Sequence, residues 1–324
     1  MGRRSAGSST PDYSPSVPAD QPIDSAWPLP ISSRVLLDRR EIGTLAFGCW
    51  RLTDPDAGRA ASLVEQAVDL GMNLVDNADV YGLDWGGGGF GSCEETLGAA
   101  FRLRPGLRDR IVLATKGGIL PGVPYVSDKR YLATACEDSL RRLGVDWIDL
   151  YQIHRPDQFT HPAEVAAAMV DLRERGLVRA FGVSNHTVAQ TRALQHHLPF
   201  PLVSTQPQFS VAHLDPLRDG TFDDCMTHAL RPLVWSPLAG GRVATGEGLR
   251  PDLVSVLDEL ASREGVTRST IAVAFVLSHP SHPVAIVGTQ NESRLAELAR
   301  ASEVRLTRSD VYRLIEASDG SPLP

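Results

Sequence analysis

Short apolar runs and amphipathic stretches alternate along most of this chain, and the alternation predicts its elements one after another. Thr44–Phe47, Asn73–Val75, Ile111–Thr115, Ile148–Ile153, Ala180–Val183, Val203–Gln206, Leu233–Trp235 and Ala285–Val287 are brief, apolar and bounded by turn residues, the pattern of buried strands. Between them lie stretches with helical spacing. One runs from Pro55 to Leu70, with proline at its first turn and Gly71 closing it. A second opens on Ser92-Cys93-Glu94-Glu95, which has the order of a capping box, and extends to about Leu103. Further helices are predicted near 128–143, 161–175, 187–196, 252–264, 268–278, 292–301 and 308–317. Arg34–Gly43 reads as a short hairpin. Residues 1–32 show no period and carry six prolines in their first thirty positions, so they read as a disordered tail. Eight strand–helix units without an internal linker imply a single-domain closed (β/α)8 TIM barrel over 33–324.

Three of these strands deliver an ionisable side chain at their carboxyl ends. Asp76 follows Asn73-Leu74-Val75, with Tyr81 five residues later on the loop; Lys116 follows Ile111–Thr115; His154 follows Ile148–Ile153. Taken alone, Asp76 reads as a turn-capping acid and Tyr81 as a packed loop aromatic. In a parallel barrel, however, all such ends open on one face, where functional groups gather.

The segments D-N-A-D-V-Y-G, A-T-K-G-G, Q-I-H-R-P and G-V-S-N-H stand in the order and at the spacing of the aldo-keto reductases. The chain resembles that family across roughly residues 40–315. Gly48–Leu52 and His154–Asp157 look most like a bacterial oxidoreductase subgroup with little assigned chemistry. The resemblance implies NADPH-dependent reduction of an aldehyde or ketone, with the hairpin plugging the barrel bottom. It implies Tyr81 as proton donor, Lys116 beside it, Asp76 holding Lys116, and His154 directing the substrate oxygen. The chemistry is coherent. A phenol with pKa near ~10 is a weak acid, and a nearby ammonium is expected to lower that value.

The resemblance also implies a nucleotide site. Ser184, Asn185 and Gln206 would grip the nicotinamide carboxamide, although Ser184-Asn185 alone also reads as a helix cap. Trp235 would stack on the nicotinamide ring, and Ser236, Pro237 and Leu238 continue that wall. Gly240, Gly241 and Arg242 belong to a loop whose bare backbone could approach the pyrophosphate. Gly288, Thr289 and Gln290 precede a helix start suited to phosphate, with Arg294 meeting the adenosine 2′-phosphate. Cys49 and Trp50, at the end of the first barrel strand, complete the set. Gly288 stands where many relatives carry lysine, and Leu298 where many carry asparagine. NADP(H) is therefore the expected cofactor, without excluding NAD(H).

Several motifs lead elsewhere and fail. Gly86–Gly91 satisfies G-x-G-x-x-G, but ten residues separate Asp76 from Gly86, and the next strand ends in Lys116. A dinucleotide fingerprint needs the glycine at the strand's own turn and an acid on the following strand. The run is read instead as an enlarged loop beside Tyr81. His279/His282 and His196-His197 lack partners at metal spacing, so no metal is expected. Gly182-Val183-Ser184 lacks the second glycine of a nucleophile elbow. Strand seven ends without the carboxylate a barrel glycosidase would need.

Composition narrows the classes further. The chain has 324 residues, 42% hydrophobic and 22% charged, with a formal charge of −7, which opposes non-specific nucleic-acid binding. Lys116 and Lys129 are its only lysines. Cys49, Cys93, Cys136 and Cys225 show no C-x-x-C and read as reduced thiols of a cytoplasmic protein. There is no apolar run long enough for a membrane span, no apolar segment behind Arg3-Arg4 for export, and Ala6 breaks a myristoylation motif. The oligomeric state leaves no sequence signal. Trp50, Trp85, Tyr125, Arg155 and Phe209 are candidate substrate walls; the aromatics suggest an apolar or aromatic carbonyl, and Arg155 an acidic group. Two other functions stay open: a lyase using Lys116 as a Schiff-base nucleophile, and a nucleotide-binding sensor without turnover.

Overall fold

The computed structural model describes residues 29–324. The expected tail therefore lies, for residues 1–28, outside the described residues. Of its last four positions, the Leu29 amide donates to the Leu306 carbonyl at 2.9 Å, and the Ser32 carbonyl accepts from the Thr44 hydroxyl at 2.9 Å.

Strands β1 (Arg34–Leu37) and β2 (Arg40–Gly43) form an antiparallel hairpin, Arg34 opposite Gly43. Eight parallel strands then close a barrel: β3 (Leu45–Gly48), β4 (Leu74–Asp76), β5 (Val112–Gly117), β6 (Ile148–Ile153), β7 (Val178–Ser184), β8 (Ser204–Gln206), β9 (Arg231–Val234) and β10 (Val284–Val287). The β10–β3 seam, with Ala285 opposite Leu45, completes the cylinder. Helices surround it: α1 (Ala57–Asp69), α2 (Ser92–Leu103), α3 (Lys129–Leu143), α4 (Pro162–Glu174), α5 (Val188–His196), α6 (Thr221–His228), α7 (Arg242–Thr245), α8 (Pro251–Glu264), α9 (Arg268–Leu277), α10 (Glu292–Ala299) and α11 (Arg308–Asp319).

The two-residue period of a strand decides which side chains reach the interior. On β4, Leu74 packs into the barrel core and Val75 into the helix-facing layer, so Asp76 points inward above Leu74. On β5 the same alternation runs Val112, Ala114, Lys116 inward and Leu113 outward. The hairpin contributes Leu37 and Ile42 to the interior cluster with Ala46, Leu150 and Ile286, which closes the bottom. The barrel interior is thus sealed by apolar side chains at the hairpin end, and its inward-facing Asp76 and Lys116 lie toward the opposite, carboxyl end. Below, Asp149 pairs with Arg40 at 2.6 Å and Arg108 at 2.8 Å, tying β2 and the β5 entry to β6.

Local chemistry departs from the predictions at several places. Helix α1 begins at Ala57, because the Asp56 side chain accepts from the Gly58 and Arg59 amides and makes the cap itself. The capping box at Ser92 does not form. The cap falls one residue earlier, on left-handed Gly91 (φ 83°), whose carbonyl accepts from the amide of Glu95, the acid the box would have used, at 3.0 Å. Glu94 turns inward to Thr115 at 2.6 Å and Arg142 at 2.7 Å. Helices α6 and α7 were not anticipated, and β7 extends beyond the predicted Ala180–Val183 on both sides. Among the described residues no helix is long and apolar enough to cross a membrane.

Candidate active site

Asp76 and Gln206 end β4 and β8, Lys116 is the last residue but one of β5, and His154 follows the last residue of β6. Parallel pairing brings these ends to one mouth. Lys116 is wholly buried beneath it, and its Nζ donates to Asp76 Oδ2 at 2.7 Å, the Asn77 carbonyl at 2.8 Å and Tyr81 Oη at 3.1 Å. Gln206 Nε2 donates to the other Asp76 oxygen at 3.0 Å. The ring of His154 meets Tyr81 edge to face, centroids 5.8 Å apart. The loop carrying Tyr81 is fixed at both ends: the Asn77 and Asp79 amides donate to the Ala114 and Lys116 carbonyls, and the Tyr81 carbonyl accepts from the Cys93 amide.

The protonation states follow from this enclosure. Burial raises the Tyr81 pKa, and the opposing Lys116 ammonium does not overcome it, so the phenol keeps its proton. The ammonium acts in the expected, lowering direction, but desolvation is the larger effect and the net value rises. Burial would lower Lys116, but Asp76 and Tyr81 outweigh it and hold the amine charged. His154 is pushed well below its ordinary value by burial and then by Lys116 and Arg155, and is neutral. The arrangement is a protonated phenol between a fixed ammonium and a neutral imidazole.

A cavity of about 1010 Å³ opens over these groups. Asp76, Tyr81 and His154 line its floor, with Trp50 and Arg155 on one wall. Ser184, Asn185, Trp235 and Ser236 line another, and Pro237, Leu238, Gly240 and Gly241 extend it. Gly288, Thr289, Arg294 and the buried Leu298 line its far end. The Asn185 amide is already engaged, donating to Ser184 Oγ at 2.9 Å and the His154 carbonyl at 3.1 Å while accepting from Trp235 Nε1 at 3.0 Å. Its backbone is left-handed, φ 57°. Neither Ser184 nor Asn185 caps α5; Thr187 does so, in a box with Gln190. Ser236, Ala239, Gly240 and Gly241 are also left-handed, which curls this loop over the cavity edge.

Other predicted residues lie elsewhere. Phe209 is 1% exposed and packs on Phe222 and Phe275, behind the barrel wall rather than in the cavity. Cys49 is fully buried in the cluster with Phe47 and Val75 and does not line the cavity. Arg242 is spent on the Ala239 carbonyl, Gln290 lines a separate small surface cleft, and Tyr125 sits outside the cavity on a bridge to Ile119. Trp85 does not line the cavity either. It stands edge to face on Trp50, 5.6 Å between centroids, with the Arg51 guanidinium 4.1 Å above its ring. The glycine run makes this possible: a side chain at Gly87 would come within 2.3 Å of the Gly82 carbonyl. Arg51, Asp84 and Glu297 also line the cavity and were missed. Arg51 and Asp84 adjoin Trp50 and Trp85, which was the available signal; Glu297, on α10, gave none. His279 and His282 hold no site together, His279 stacking on Phe222 at 4.3 Å.

The profile of the Aldo/keto reductase family matches residues 44–319. A 6-dehydroglucose reductase of Novosphingobium aromaticivorans is 45% identical over 288 residues, 87% of this chain and 94% of that protein. Oxidoreductase YdhF of Escherichia coli is 36% identical over 296 residues, 88% and 96% of the two chains. Among solved structures, an aldo-keto reductase from Klebsiella pneumoniae in complex with NADPH superposes with a TM-score of 0.74 at 25% identity, covering 91% of this chain and 97% of that one.

Proposed function

This chain belongs to the aldo/keto reductase family, and on that premise we propose that it reduces an aldehyde or ketone to an alcohol with NADP(H), Tyr81 supplying the proton. The observation that carries the reading is the three-way contact of Lys116 with Asp76 and Tyr81. A bound NADPH would supply the hydride to the carbonyl carbon. Tyr81 Oη gives its proton to the carbonyl oxygen, and the ammonium 3.1 Å away stabilises the phenolate left behind. His154, neutral, orients the oxygen by a hydrogen bond without adding charge. The same ammonium disfavours the Schiff-base alternative, which needs a free amine.

The residues present fit the nucleotide. Trp235 offers a ring held at its indole nitrogen by Asn185, and Arg294 faces the cavity with no acid pairing with it among the described residues. Arg294 would take the 2′-phosphate, favouring NADP(H) over NAD(H). For substrate we favour a polyhydroxylated, sugar-like aldehyde over an apolar carbonyl. The similarity to the Novosphingobium enzyme supports this, as does a mouth where Trp50 is flanked by Arg51, Asp84 and Arg155, an apolar face with polar groups for hydroxyls. The four buried free cysteines suit the cytoplasm.

The test is NADPH consumption over a panel of sugar aldehydes, simple aldehydes, ketones and quinones. Tyr81→Phe should lower turnover by at least ~10²-fold while NADPH affinity holds within about twofold. Near-normal turnover in that variant removes Tyr81 from the acid role; preference for aromatic ketones removes the sugar-like substrate.

A further inference from the structure

Behind the tetrad, between β5, β6, α2 and α3, lies a second set of ionisable groups that carbonyl reduction does not use. Asp79 is 0% exposed, and neither carboxylate oxygen has a hydrogen-bond partner. Tyr151 and Ser127, each 1% exposed, have hydroxyls equally without partners. All three face the Gly117–Gly118 corner that follows Lys116. A side-chain carbon on Gly117 would stand 2.0 Å from Tyr151 Oη and 3.4 Å from Asp79 Oδ2, and one on Gly118 3.4 Å from Ser127 Oγ.

The charges around Asp79 can be counted element by element. From α2 comes Glu94, already joined to Arg142 of α3 at 2.7 Å and to the Thr115 hydroxyl at 2.6 Å. From α3 also comes Tyr131, from β6 Tyr151, and from β5 Lys116, whose ammonium is committed to Asp76. The two cations are thus each matched by an acid, and an ionised Asp79 would be a surplus negative charge in a sealed layer. Such a charge is far more costly than a neutral acid. Burial, reinforced by Glu94, accordingly raises the Asp79 pKa well above the carboxylate range, with Arg142, the Val80 amide and Lys116 opposing less strongly. Burial likewise keeps the Tyr151 hydroxyl protonated.

Asp79 also occupies a mechanically sensitive place. It lies among the four residues between Asp76 and Tyr81, and its amide donates to the Lys116 carbonyl at 3.0 Å. The next strand's end and the phenol are therefore both coupled to where this side chain settles. We infer that Asp79 is a positioning residue, stored as an uncharged carboxylic acid against Tyr151 and the Gly117–Gly118 corner, which holds the loop carrying Asp76 and Tyr81 in register with Lys116. Its kinetic consequence rests on the reductase reading; its charge state does not.

The experiment has a spectroscopic and a kinetic arm. Infrared difference spectra of the wild-type protein and Asp79→Asn at pH 7 should contain a carboxylic-acid C=O stretch in the former only. Its absence from the wild type, or persistence in the asparagine variant, overturns the neutral acid. Asp79→Asn, which keeps shape and neutrality, should retain kcat within about twofold, and its pH profile should lack any step the wild type owes to Asp79. Asp79→Leu should lower kcat at least tenfold with NADPH affinity unchanged; wild-type kcat in a folded leucine variant overturns the positioning role. If leucine prevents folding, the asparagine variant and the infrared band still decide. Loss of the tetrad's role (an active Tyr81→Phe) would leave the band in place, so the two failures are distinguishable.

Discussion

Replacing Asp76 by asparagine tests the enclosed ion pair most directly. Lys116 and Asp76 have side-chain exposures of 0% and 3% and stand 2.7 Å apart, so water cannot stand in for either. At an effective dielectric of about 20, the attraction over that distance is of order 6 kcal/mol, but desolvation offsets much of it. Removing one partner of a buried pair costs ~3–5 kcal/mol. Asparagine also fails geometrically. Lys116 and Gln206 each donate to a separate Asp76 oxygen, and an amide has only one oxygen for two donors. In the wild type the pKa of Lys116 is raised, so the pair's stabilisation is full below the unfolded value near ~10.4 and is lost only as pH rises through the folded value. Without the carboxylate, burial dominates and the lysine pKa falls; the variant then loses stability as pH decreases. The gap between the two proteins should thus be ~3–5 kcal/mol at pH 7 and narrow toward pH 10. Guanidinium unfolding at the two pH values measures it, and kcat at pH 7 should drop at least ~10-fold. A gap below ~1 kcal/mol at pH 7, or one that widens with pH, refutes the reasoning.

Two further outcomes follow from the same geometry. Arg294→Ala should weaken NADP(H) binding by ~1.5–3 kcal/mol, the worth of hydrogen bonds to a charged group, and leave NAD(H) within about twofold; equal loss for both cofactors ends the 2′-phosphate assignment. Because His154 is held neutral when folded, protonation of the unfolded chain should erode stability as pH falls below ~6.5. His154→Gln should flatten that slope between pH 7 and 5, measured by denaturant midpoints; an unchanged slope would mean other groups set it.

The sequence exposed what strand periodicity controls. Asp76, Lys116 and His154 were visible because each sits at a strand end whose apolar alternation already faces the core. What depends on turn geometry was not visible. Phe209 follows β8 closely enough to suggest a wall, yet the two residues between, Pro207 and Gln208, turn it into the layer with Phe222. Ser92 and Glu95 have the spacing of a capping box, but left-handed Gly91 takes the cap position one residue earlier. Helix α6 reads T-F-D-D-C-M-T-H, too short and polar to show a face before its burial is known. The rise in the Tyr81 pKa depends on enclosure, which a sequence does not report.

The β10–β3 seam joins positions some 240 residues apart, Ile286 beside Ala46. A closure so distant along the chain is entropically late and slow to find. Gly48 lies on that join, its backbone close enough that any side chain would press within 2.8 Å of Ile286. The cavity is lined from both sides of that join, by Gly48 and Gly288, so the nucleotide pocket proposed here is complete only once the seam closes. A dinucleotide would bind only finished molecules and drag the folding equilibrium toward them by mass action, making it a chaperone of last resort for its own receptacle.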